Sequence, residues 1–71
     1  MTRTETRAAI REITAESKLT AEERLALGNF IWTAIEEQKD GDFTRARAVI
    51  DFLHQSGKIS LTDAFDLADL L

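Results

Sequence analysis

Thr20-Ala21-Glu22-Glu23-Arg24-Leu25-Ala26-Leu27-Gly28-Asn29-Phe30-Ile31-Trp32-Thr33-Ala34-Ile35-Glu36-Glu37-Gln38-Lys39-Asp40-Gly41 is the stretch that decides the fold. Thr20 and Glu23 have capping-box spacing: the threonine oxygen bonds forward to an orphan amide while the glutamate reaches back. From Ala21 to Lys39 nothing breaks a helix, and Gly41 is the expected stop. Leu27, Ile31 and Ile35 make one stripe, with Phe30 and Ala34 on one side and Leu25, Gly28 and Trp32 on the other. At ~100° per residue the apolar sector spans about 200°, roughly twice that of a surface helix. Such a helix belongs in the middle of a helical domain, with Glu22, Asn29, Thr33, Glu36 and Glu37 on its wet side.

The flanking sequence reads the same way. Thr2 and Glu5 form another capping box, and a thin stripe of Thr6, Ala9, Ile10, Ile13 and Ser17 follows. Asp42 is a good N-cap for a third helix, in which Phe43, Ala46, Val49, Ile50 and Leu53 face one way and Phe52 lies on the flank. Gly57 is placed to end it. Ser60 or Thr62 caps a fourth helix, with Leu61, Ala64, Phe65, Leu67, Ala68 and Leu71 on its apolar face and Asp63, Asp66 and Asp69 opposite. No segment alternates with the period of a strand. The expectation is one all-α domain over residues 1–71, a compact four-helix bundle with helices at about 3–17, 21–39, 43–56 and 61–71 and helix two central. Short connections make successive helices neighbours.

Length and composition narrow the function. A chain of 71 residues without cysteine has neither a disulfide nor a thiolate metal site, so its stability rests on helix packing or on oligomerisation. The polar N-terminus lacks the apolar core of a signal peptide, and no apolar run approaches the ~20 residues of a membrane span. The expected location is cytoplasmic, with no membrane partner. A net charge of −4 disfavours general affinity for nucleic acid.

Chemistry finds little to work with. The best catalytic set is His54 with Asp51, Ser56 and Ser60 nearby, and Asp51 and His54 at i, i+3 read more simply as a surface ion pair. Asp40, Asp42 and Thr44 resemble the start of a calcium loop, but Arg45 stands where glycine must turn the chain and Asp51 where a bidentate glutamate is needed. The three glycines are too far apart for a phosphate loop. No catalytic, metal or cofactor site is expected, and the chain reads as non-enzymatic.

Helix three, the turn Ser56-Gly57-Lys58-Ile59-Ser60 and helix four outline a helix-turn-helix, but helix four carries three aspartates and no cation. A recognition helix needs donors for phosphates and base edges, so it is a poor reader of DNA. Helix one is the better candidate for an anionic partner. Arg3, Arg7 and Arg11 recur at four-residue spacing, with Lys18 seven residues on, and the bland reading is a solvated charged face. This basic stripe also complements the acidic face of helix four, within one subunit or across a dimer.

The apolar helical surface is large for so small a domain, and any part left uncovered forms a patch of the kind that marks an interface. Trp32, at the edge of helix two beside Gly28 and Leu25, reads as core or as interface. Phe52 lies on a helix flank and Leu70 on the aspartate side of helix four. The expected function is therefore a small protein–protein interaction module, an adaptor, antagonist or regulatory inhibitor, binding another protein or itself as a homodimer. Its candidate residues are Trp32, Phe52, Leu70, Asp63, Asp66, Asp69, Arg3, Arg7 and Arg11. The alternatives are a nucleic-acid-binding regulator using helix one, or an acidic inhibitor whose aspartates imitate phosphates.

Overall fold

Thr2 and Thr20 close the two capping boxes. The Glu5 amide donates to Thr2 Oγ1 at 3.1 Å and the Thr2 amide to Glu5 Oε1 at 3.0 Å. The same reciprocal pair joins Thr20 and Glu23. The computed structural model describes residues 2–71. From these caps run α1 (Arg3–Ile13) and α2 (Ala21–Glu37), followed by α3 (Asp40–Gln55) and α4 (Leu61–Ala68). Among the described residues there is no strand, and no helix is long and apolar enough to cross a membrane.

Five boundaries differ from the sequence expectation, the end of α3 by a single residue, at Gln55 rather than Ser56. α1 stops at Ile13 rather than Ser17, and in the turns that follow Thr14 and Ser17 place their hydroxyls on the carbonyls of Ile10 and Thr14. Short hydroxylated side chains compete with the helix in this way. α2 stops at Glu37 because Gln38, not Gly41, takes the left-handed conformation, at φ 54°. The connection is then only two residues long, and α3 begins at Asp40. Asp42 is therefore not an N-cap. Lys39 occupies that position without a side-chain bond, and Asp40 and Asp42 lie in the first turn, where carboxylates oppose the helix dipole favourably. α4 is capped by Ser60, whose Oγ accepts from the Asp63 amide at 3.0 Å, and it ends at Ala68 rather than Leu71.

Gly57 does end α3, at φ 77°. Its amide donates to His54 O and the Lys58 amide to Leu53 O, the paired bonds of a Schellman turn.

The helices close a ring: α1 packs on α2, α2 on α3, α3 on α4, and α4 back on α1. α2 makes no close approach to α4. Its 17 residues span about 26 Å at 1.5 Å each, close to the 28 Å long axis of the domain. Leu27, Gly28, Ile31 and Ala34 on α2 are buried, more than any other helix contributes. Ile10, Ala46, Ile50, Leu53 and Leu67 meet them in the core. Each large apolar side chain so buried contributes roughly 1.5–3 kcal/mol. Leu19 and Ile59 are also core residues although neither is helical. Each immediately precedes an N-cap, and the chain between them is tied by a backbone bond from the Lys18 amide to Lys58 O at 3.0 Å.

The apolar sector of α2 is narrower than its sequence suggests. Leu25 and Phe30 are exposed. On α4, Leu61 and Phe65 belong to the sequence-predicted apolar face but are exposed as well. An eight-residue helix can turn only one side to the core, and Ala64, Leu67 and Ala68 take it.

Candidate functional site

Two surfaces gather the residues that matter. The first lies between α1 and α2. Arg7 and Arg11, one turn apart on α1, stand with Arg24 of α2 around a cleft of about 310 Å³ floored by Ile10, Ala21, Leu25 and Gly28. The glycine keeps the floor open: a Cβ there would meet Ile10 Cδ1 at 3.7 Å, ordinary contact. Gly28 therefore does not mark a forced approach of two backbones.

Arg24 is fixed from behind. Its Nε donates to Thr14 Oγ1 at 3.1 Å and its Nη2 to Thr14 O at 2.9 Å. Thr14 is fully buried, and its hydroxyl donates in turn to Ile10 O at 2.7 Å. One guanidinium thus seals the frayed end of α1 while lining the cleft. Among the described residues none of the three arginines forms a salt bridge; the ion pairs are Lys39–Glu37, Arg45–Asp42 and Lys58–Glu23. Sequence reading found Arg7 and Arg11 but missed Arg24, because its partner Thr14 lies in a connection taken for helix. The signal available was the i, i+4 step from Ile10 to a threonine.

Arg3 and Lys18 do not join this group. Arg3 lies over the Trp32 ring, 5.6 Å from its centroid, a cation–π arrangement that covers one face of the indole. Trp32 is half-buried and its Nε1 is enclosed without a hydrogen-bond partner among the described residues. Lys18 falls beyond the end of α1, so the basic stripe stops at Arg11.

The second surface is the groove between α3 and α4, about 490 Å³, lined by Ala48, Ile50, Leu61, Ala64, Phe65 and Ala68, with Arg47, Asp51 and His54 among its polar residues. Leu61 is 56% and Phe65 64% exposed, and Phe52 on α3 is 66% exposed. Large apolar side chains this open do nothing for the core. Asp66 and Asp69 are exposed on the outer side of α4, while Asp63 is half-buried in its first turn. Leu70 is partly buried and packs against the core together with Leu71. The sequence-predicted sites therefore divide. Phe52, Asp66 and Asp69 are presented outward, Arg7 and Arg11 line a cleft, and Leu70 is withdrawn.

The expected Asp51–His54 ion pair does not form among the described residues, although both side chains face the groove. Ser56 Oγ donates to Phe52 O at 2.8 Å, which turns it to its own helix. Asp40 and Asp42 lie within a helix rather than around a loop, so the calcium-loop geometry is absent.

Lys58 lines neither surface but ties the helices that carry them. Its Nζ is 2.8 Å from Glu23 Oε2, which fastens the α3–α4 turn to the first turn of α2. That ammonium, and next the Thr20 amide, hold the Glu23 carboxyl below its ordinary value. In α1 the Thr2 amide does the same for Glu5. Comparison with protein-family models, with curated proteins and with solved structures finds no match to this chain.

Proposed function

We propose that this chain is a non-enzymatic protein-interaction module that docks through the exposed apolar side chains of α3 and α4. The observation that carries the reading is the exposure of Phe52, Leu61 and Phe65, each more than half open on adjacent helices of a domain with a small core. An apolar groove flanked by Arg47, Asp51 and His54 suits the apolar face of a helix, with charges of both signs at its rim to set orientation.

The test compares the wild type with a Leu61→Ser, Phe65→Ser double variant. Both positions are exposed, so helicity and thermal midpoint should change little. A partner held by the wild-type protein in its source cell, re-bound as a purified protein and lost by the variant, is the expected result. Equal binding by both proteins would remove the groove from the interface.

The arginine cleft gives a specific footing to a second reading, nucleic-acid binding through α1. Its test is fluorescence anisotropy with labelled duplex DNA at low salt, where phosphate contacts are strongest. Binding unaffected by Arg7→Glu, Arg11→Glu would end this reading.

A further inference from the structure

We infer that the Arg7–Arg11–Arg24 cleft takes the Phe65, Asp66 and Asp69 edge of α4 from a second copy of this chain. The inference rests on the interaction reading above and names the partner of that face. The cleft asks for an anion with an apolar body: three guanidiniums without a carboxylate partner surround a floor of Ile10, Ala21, Leu25 and Gly28. Leu25, at its edge, is 53% exposed. The rest of the chain argues against a long polyanion. Net charge is −4, and Glu12, Glu16 and Glu22 stand exposed in the neighbouring sequence. A short acidic segment meets the arginines without extending over those acids.

The cleft lies at the small end of ligand-pocket volumes, roughly 300–1,000 Å³, so it fits a few side chains rather than a bulky molecule. α4 presents that chemistry. Phe65 and Leu61 are one turn apart and exposed, and Asp66 and Asp69 open to solvent beside them with no salt bridge among the described residues. Each half of the match is uncovered in the single chain, and the two are opposite in charge and alike in apolar content. Arg24, anchored on Thr14, presents one guanidinium already ordered, which lowers the entropy lost on binding.

The experiment is sedimentation velocity on the full chain from low micromolar to millimolar concentration, at low and high salt. Wild-type protein should associate, and salt should weaken the association because the charges lie near the surface. Two variants separate the contact from the fold: Arg7→Glu with Arg11→Glu, and Asp66→Arg with Asp69→Arg. All four positions are exposed, and circular dichroism checks that each variant is folded. Each variant alone should be monomeric, with self-affinity lowered about tenfold or more, since like charges then face each other. Mixed together, the two should associate again, because the acidic cleft of one meets the basic α4 of the other.

A wild type that stays monomeric, variants that associate as the wild type does, or folded variants that fail to associate on mixing would each overturn the inference. The Leu61→Ser, Phe65→Ser protein distinguishes its failure from that of the broader reading. If charge reversal has no effect but this variant loses another protein partner, only self-recognition is wrong. If this variant also keeps every association, the docking face is wrong as well.

Discussion

Thr14→Val should destabilise the domain far more than Thr6→Val, although both threonines are buried, both lie in or just beyond α1, and both donate to a carbonyl four residues back. Thr6 Oγ1 has one bond, to Thr2 O at 3.0 Å, and that carbonyl already accepts the Thr6 amide at 2.9 Å. Removing the hydroxyl strands no group, and valine replaces it with a methyl of similar size. The expected change is within about 0.5 kcal/mol. Thr14 Oγ1 also accepts from Arg24 Nε at 3.1 Å. Valine leaves that charged donor facing a methyl group, with the Nη2 bond to Thr14 O retained. A hydrogen bond to a charged group is worth about 1.5–3 kcal/mol, and Arg24 is half-buried, so water recovers part of the loss and about 1–2 kcal/mol remains. At roughly 4–8 °C per kcal/mol for a domain of this size, the thermal midpoint should fall by about 4–16 °C. Circular dichroism melts of the two single variants, with Arg24→Ala added to complete a double-mutant cycle, make the measurement. Equal midpoints for Thr6→Val and Thr14→Val, or no coupling between Thr14 and Arg24, would refute the assignment of Arg24 as the seal of α1.

Three further outcomes follow from backbone and charge. Gln38→Gly should raise stability by about 0.5–1 kcal/mol, since glycine relieves a left-handed residue, while Gly57→Ala should lower it by about 1 kcal/mol or more; a denaturant midpoint lowered by the first change, or raised by the second, would contradict that prediction. Gly28→Ala should be neutral or stabilising by up to about 1 kcal/mol, because helix propensity favours alanine and the new methyl meets only Ile10 at contact distance; a clear loss in a thermal melt would mean the helices approach more closely than described. Glu23 has a carboxyl pKa lowered by Lys58 and then by the Thr20 amide, so its contribution is complete above the unfolded-state pKa and is lost as pH falls through the lower folded-state value. Melting temperature should therefore drop on acidification from about pH 5, and Lys58→Met should flatten part of that drop; identical slopes in the two proteins would exclude the pair as a source.

Much of the fold was legible because caps and periodicity are local. Both capping boxes and the Gly57 stop stand where their residue types put them. The α2–α3 junction was not legible, because glutamine has no special claim on a left-handed backbone, and Gly41 drew the end of α2 two residues too far, to Lys39 rather than Glu37. Asp42 looked like a cap for the same reason. At the candidate surfaces, the positions of Arg7 and Arg11 followed from their spacing, but Arg24 needed knowledge of where α1 ends. Exposure was the hardest property to read. Leu70 lies on the polar side of α4 by helical angle, yet it is past the end of that helix and turns inward. Phe65 lies on the apolar side and turns out, because α4 has helices on only part of its circumference.

Lys58 uses every polar group it has: its amide closes the turn after α3, its carbonyl receives the Lys18 amide, and its ammonium holds Glu23. Loop amides normally exchange with solvent deuterium through small local fluctuations, at little cost in free energy. The Lys18 amide is instead bonded across to another connection. Its neighbour Leu19 and the neighbour of its acceptor, Ile59, are both core residues, so parting the two connections disturbs the core. The Lys18 amide should thus exchange more slowly than an ordinary loop amide, so that two connections in the chain behave as part of its interior.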